Sequence, residues 1–257
     1  MSLHSVAAIA RINLRLLGRD PFPFVIIFAM PIVIMPFVTP LFRAALIQEG
    51  KPDATGSEYA VPGMAVLFAM FAVSHLGWHT FQEHVWGTWP RLRLSSAGAG
   101  AVMFGKALPI WALVVVQQLA VFFLGTLAFG LSIRGSIWAL LPIAMVFASF
   151  LVTAAAALVA VCRTPQQLDV FAQTGVLLFA GLGNALAPTS LLPGWVQLAS
   201  PLVPTTWATQ AYRGIVLEGD GMLEVLPEAG VILAMTIAVG VFAVMRFRAE
   251  DEKAFMQ

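Results

Sequence analysis

Apolar runs long enough to cross a bilayer recur along this chain, and no other feature limits its fold as tightly. A hydrocarbon core about 30 Å thick is crossed by roughly 20 mainly apolar helical residues. Residues 22–42, 60–81, 107–133, 137–162, 170–187 and 225–245 meet that requirement, which predicts six transmembrane helices. The runs at 107–133 and 137–162 are longer than needed and are expected to tilt or bend. Because backbone groups in lipid must pair within their own segment, continuous apolar runs imply an all-α polytopic fold. Of the 257 residues 60% are apolar and 11% charged, against about 25% charged in a soluble domain. Soluble, disordered and nucleic-acid-binding classes are thereby excluded. One cysteine, Cys162, permits no internal disulfide. The first run is too long for a signal-peptide core and no small-residue cleavage site follows it, so it reads as an anchor. Residues 1–257 read as a single transmembrane domain.

Orientation follows from Lys and Arg. With both termini cytoplasmic, the inner segments hold Arg11, Arg15, Arg19, Arg91, Arg93, Lys106, Arg163, Arg246, Arg248 and Lys253. The outer segments hold Arg43, Lys51, Arg134 and Arg213. Cations concentrate on the cytoplasmic side of membrane proteins, so this orientation is predicted in a bacterial cell membrane. Residues 1–19 are not a span. Val6, Ile9, Ile12 and Leu16 recur at helical spacing, with His4, Arg11, Arg15 and Arg19 mostly on the other side. Such a cationic amphipathic helix lies along the inner leaflet, with Arg11 and Arg15 toward the headgroups. Pro21 then turns the chain into the bilayer. Pro31, Pro36 and Pro40 each remove a backbone donor from the first span, so a kink is expected there.

Several candidate sites carry different weight. Gly100–Lys106 follows a phosphate-loop pattern, but Ala107 stands where a hydroxyl would bind Mg²⁺. Lys106 reads instead as an anchor with its amine in the inner headgroups. His75, His79 and Glu83 are four apart and stack on one helical face, with Trp78 and His84 alongside. That spacing suits a metal site, the lining of a substrate path or interfacial packing, and the sequence leaves all three open. Gln117, Gln118, Ser149, Thr153, Gln173, Thr174 and Asn184 are polar residues within spans, costly against lipid and therefore directed at protein or a water-filled path. No catalytic constellation is present, and no cofactor is expected on this chain. The stretch 83–94 combines charge, aromatics and a short helix on the cytoplasmic side, suited to packing on a soluble partner, before Ser95–Gly100 breaks it. Residues 188–214 are apolar, with Trp195, Trp207 and Tyr212, and read as short re-entrant helices in the outer interface.

Taken in order, these motifs resemble the permease subunits of ABC exporters of the second export class, which include drug-resistance and polysaccharide or lipid-precursor exporters. The resemblance is carried by Glu83, Gly87-Thr88, Arg91-Leu92 and Gly105-Lys106, then by Ser200–Trp207 and Tyr212-Arg213-Gly214. One departure is Ser95-Ser96-Ala97, where the family has a proline. The resemblance implies a transport subunit that pairs with a second permease and two ATPase subunits, with ATP and Mg²⁺ bound on those partners. Glu83, Gly87, Thr88, Arg91 and Leu92 would form a coupling helix docking on an ATPase. Pro201, Pro204, Trp207, Tyr212 and Arg213 would belong to an outer gate. His75, Trp78, His79, Gln117, Gln118 and Asn184 are the candidates for a substrate path. The aromatic- and Met-rich interior points to an amphipathic or hydrophobic cargo such as a drug or lipid-like molecule. A lipid-linked polysaccharide exporter is the alternative, and a membrane-embedded metalloenzyme using His75, His79 and Glu83 is the rival from another class.

Overall fold

The computed structural model describes residues 3–19, 22–48, 50, 52–85, 98–187 and 192–246. Those residues form α1 (Leu3–Arg19), α2 (Phe22–Gln48), α3 (Ser57–Ala69), α4 (Ala72–Val85), α5 (Gly98–Phe129), α6 (Leu140–Val161), α7 (Pro165–Leu182), α8 (Gly194–Ala199), α9 (Pro204–Arg213) and α10 (Leu226–Arg246). No strand occurs among them. Five stretches are long and apolar enough to span a membrane: Val25–Gln48, Ser57–Phe81, Gly100–Phe129, Ile137–Val161 and Leu226–Arg246.

Helix α7 differs from the expected fifth span at 170–187 for a local reason. Thr164 caps it, its hydroxyl accepting from the Gln167 N–H at 3.2 Å, and Pro165 occupies the first turn. The helix therefore starts early, takes in Gln166, Gln167 and Asp169, and stops at Leu182, which shortens its apolar run. Helix α2 runs unbroken through Pro31, Pro36 and Pro40. The second expected span is the one that breaks. Met70, Phe71 and Val73 N–H groups donate three residues back, to Leu67, Phe68 and Met70, and this tightened turn separates α3 from α4. At the other end, Gly98 and Gly100 lie inside α5, so the expected glycine break is a helix start.

The core is built around α6, whose Ile143, Ala144, Phe147 and Ala148 are fully buried. It packs on α10, α5 and α4; α3 packs on α2 and α5, and α1 packs on α5. Small residues set the closest approaches. A Cβ at Gly125 would lie 2.7 Å from Val61, and one at Gly77 2.4 Å from Leu168, which brings α5 to α3 and α4 to α7. The outward faces of α2 and α10 carry Phe37, Leu41, Ile237, Phe242 and Val244, exposed apolar side chains suited to lipid. On α1 the seam against the bundle runs through Val6, Ile9, Asn13 and Leu17, whereas Ile12 and Leu16 are exposed. Arg11 and Arg15 are exposed as well.

Candidate functional site

The polar chemistry of the bundle concentrates where α9 enters it. A helix leaves its last carbonyls without intrahelical donors. At the end of α7 the Gly183 N–H already reaches Phe179 O, and α9 adds to this cap and to the turn after it: Thr205 Oγ1 donates to Phe179 O at 2.6 Å, Thr209 Oγ1 to Gly183 O at 2.7 Å, and Arg213 Nη2 to Asn184 O at 2.5 Å. Positions 205, 209 and 213 are four apart and share one face of α9. The arginine also places positive charge at a helix C-terminus, where the backbone dipole favours it. Asn184 holds a left-handed φ of 60°, which asparagine tolerates better than most residues. The Arg213 guanidinium carbon lies 4.0 Å from the Tyr59 ring centroid, and Tyr59 stacks on Phe42 of α2. Of the residues expected at an outer gate, Pro204 opens α9 and Pro201 O accepts from Trp207 Nε1 at 2.9 Å.

Tyr212 points the other way, into the core. Its hydroxyl donates to Gln118 Oε1 at 2.8 Å, and Gln118 Nε2 reaches Val114 O and Ala144 O at 3.3 Å. Both side chains are fully buried, with the Tyr212 ring 4.8 Å from Phe122. Tyr212→Phe leaves the Gln118 oxygen without a donor and is expected to cost about 1–3 kcal/mol. Combined with Gln118→Leu it is expected to recover most of that loss, because both polar partners are then gone. A double-mutant cycle on unfolding in detergent reads the coupling.

Gln117 is the contrast. It is equally buried, yet neither its amide nitrogen nor its oxygen has a hydrogen-bond partner among the described residues. An orphaned buried polar group costs on the order of 1–3 kcal/mol.

At the inner end Lys106 corrects the sequence expectation. It is 3% exposed, and its ammonium donates to His79 O at 2.9 Å instead of reaching the headgroups. Position along the sequence does not reveal that burial. The preceding Gly105 lies under α1, where a Cβ would come 2.7 Å from Ile9 and 3.2 Å from Val6 O. Adjacent residues of α5 thus hold α1 on one side and α4 on the other. His75 and His79 are half-buried and Trp78 is exposed. No group of three metal-ligating side chains occurs among the described residues. The Glu83 side chain lies outside that set, as do Gly87, Thr88, Arg91 and Leu92.

The candidate path residues therefore fall in three places. His75, Trp78 and His79 lie on α4, Gln117 and Gln118 in mid-α5, and Asn184 in the turn after α7. Helix α9 links the last two places through Tyr212 and Arg213. Thr205, Thr209 and Tyr59 were not expected at the site. Their signal was available for two of them, since Thr205, Thr209 and Arg213 form a four-residue stripe.

Residues 43–245 match the family model described as "ABC-2 family transporter protein". The chain belongs to the ABC-2 transporter family. It is also 21% identical over 221 residues to the linearmycin resistance permease protein LnrN of Bacillus subtilis (strain 168). That similarity covers 80% of this chain and 54% of the relative, so the chain spans about half the length of the protein it matches. The family match takes in α9, the Gln118–Tyr212 pair and Lys106, and begins after α1 and most of α2. A multi-pass membrane protein is the architecture that family and helices share.

Proposed function

We propose that this chain is the permease of an ATP-driven exporter that moves an amphipathic or hydrophobic small molecule out of the cytoplasm or inner leaflet. Two ATPase subunits, carrying ATP and Mg²⁺, supply the work, and a second permease completes the conduit. The observation that carries this reading is the double hold of Gly105-Lys106 on α1 and α4. Both held elements sit at the cytoplasmic end in the orientation that the cations favour, with both termini inside. Helix α4 leads directly into the coupling segment, so a push on either element reaches the spans through α5. Rigid elements sliding against one another are a common form of such transmission.

On this reading there are six spans, α7 being the short one, and α8 with α9 forms the re-entrant outer gate. The cargo class is supported by an apolar cavity of about 390 Å³ between α6, α7 and α10, and by the printed role of the relative in resistance to linearmycin. Arg91→Ala, or Pro in place of Gly87, is expected to leave insertion intact. Either is expected to cut cargo-stimulated ATP hydrolysis about tenfold, equivalent to losing roughly 1.4 kcal/mol of docking energy. The measurement is hydrolysis and vesicle transport by the reconstituted complex. Unchanged stimulation and transport would count against the assignment.

A further inference from the structure

The apolar cavity between α6, α7 and α10 is open at one end and closed at the other. Its floor is α6, where the lining runs from Phe147 to Val161, about 21 Å at 1.5 Å per residue. A volume of about 390 Å³ drawn out over that length leaves room for one extended hydrocarbon chain. Toward one end the lining residues Phe147, Val176 and Thr205 are buried, whereas toward the other Val161, Phe171 and Phe242 are exposed. Val161 is the last residue of α6, Phe242 lies four residues before the end of α10, and Phe171 lies six residues into α7. In the orientation that the cations favour these helix ends are cytoplasmic, so the mouth opens at the level of the inner leaflet. The closed end meets Pro204 and Thr205, the first residues of α9. Among the described lining residues only Thr205 has a polar side chain, and its hydroxyl already donates to Phe179 O. Gly175 lines the middle of the cavity. Glycine weakens a helix interior, yet nothing lies within 4 Å of a Cβ added there, so no neighbour requires it. What it leaves is open space.

We propose that this cavity takes the single hydrocarbon chain of an amphiphilic cargo, which enters tail first from the inner leaflet and keeps its polar head outside the mouth. The inference rests on the export reading and adds to it the shape of the cargo and its port of entry. A polar head drawn inside would be desolvated against a lining that offers it no free partner, so the head stays out. Lipid tails are as apolar as these walls, so packing fit selects the occupant and apolarity alone does not. Bilayer phospholipids carry two chains, and the cavity has room for one. Its closed end abuts α9, the helix that Thr205, Thr209 and Arg213 tie to the outer end of α7. A chain filling the cavity therefore reaches from the inner leaflet to the foot of the outer gate, a course suited to a transported molecule.

The test uses the full-length chain in phosphatidylcholine nanodiscs, without ATPase, and two photoreactive hexadecanols. One carries its diazirine at the chain end, the other beside the hydroxyl. The end-labelled probe is expected to mark peptides containing Phe147 or Phe179 saturably, and the head-labelled probe those containing Phe171 or Phe242. Gly175→Leu, which fills the middle of the cavity, is expected to cut end-probe labelling at least tenfold without lowering the melting temperature. Gly181→Leu is the control, because a Cβ there also meets nothing within 4 Å and the residue does not line the cavity. Its labelling is expected to match wild type. Equal end-probe labelling in wild type and Gly175→Leu overturns the proposal, as does a reversed pattern of the two probes. A lower melting temperature for Gly175→Leu overturns it as well, since the space would then be filled by protein. Labelling that never saturates in excess phospholipid assigns the cavity to bilayer lipid and overturns it. Cross-linking between two copies through Phe171→Cys, in place of labelling, gives the mouth to a second permease with the same result. Because no ATPase takes part, failure here leaves the hydrolysis test of the export reading standing.

Discussion

Gly63→Val is expected to destabilise the protein on the order of 3 kcal/mol, the largest loss from any single added side chain discussed for this bundle. An ideal Cβ at Gly63 would lie 2.3 Å from Ala185 O, 3.2 Å from its carbonyl carbon and 3.5 Å from its Cα. All three atoms are backbone, so no rotamer change relieves the clash and α3 must move off the turn after α7. That turn is held from the far side by Thr209 on Gly183 O and Arg213 on Asn184 O. Helix α3 is held in turn by Val61 against Gly125. Packed interiors transmit such strain instead of absorbing it. Gly230→Ala is the control: nothing lies within 4 Å of a Cβ there, and within α10 the change is expected to stabilise by about 0.5–1 kcal/mol. Melting in detergent compares the two. A Gly63→Val protein that melts like wild type would mean the approach of α3 to Ala185 is not close in solution.

The contrast between these glycines shows what a single sequence reveals here and what it withholds. Apolar runs mark the long helices because lipid imposes length and composition on each span separately, so a local reading suffices. The Thr164-Pro165 cap is also local, and it accounts for the early start of α7. The break at Met70-Phe71 has no such mark: Ala69-Met70-Phe71-Ala72-Val73 contains neither glycine nor proline. Phe68 and Phe71, with ring centroids 5.6 Å apart, face each other across it, but an aromatic pair three residues apart suits an unbroken helix equally well. The same holds for the polar pairs. Polarity within a span says that Gln117 and Gln118 face protein, and both do. That Gln118 meets Tyr212, 94 residues on, while Gln117 has no hydrogen-bond partner among the described residues, depends on tertiary register. Lys106 was misplaced because a cation near the end of a span usually reaches the headgroups. Here the segments around it bury the amine instead.

Lys106→Met tests whether that buried amine transmits force. Taking an ammonium out of water is costly, and interactions inside the protein often fail to repay that cost. Stability is therefore a poor reason for a lysine that is 3% exposed. Methionine is unbranched and of similar length, so it fills the space without leaving a large cavity while removing the bond to His79 O. The variant is expected to insert and to melt at or above the wild-type temperature. Cargo-stimulated hydrolysis by the reconstituted complex is expected to fall about tenfold, because α4 is no longer tied to α5 at its cytoplasmic half. Gly105→Leu attacks the same device from the other side: bulk at that position meets Ile9 at once and lifts α1 from α5. If both elements feed one helix, the two variants together should lose little more than either alone, whereas independent routes would give multiplied losses. A Lys106→Met protein that melts lower yet keeps full stimulation would make the lysine a packing residue, and the mechanical link would have to run elsewhere.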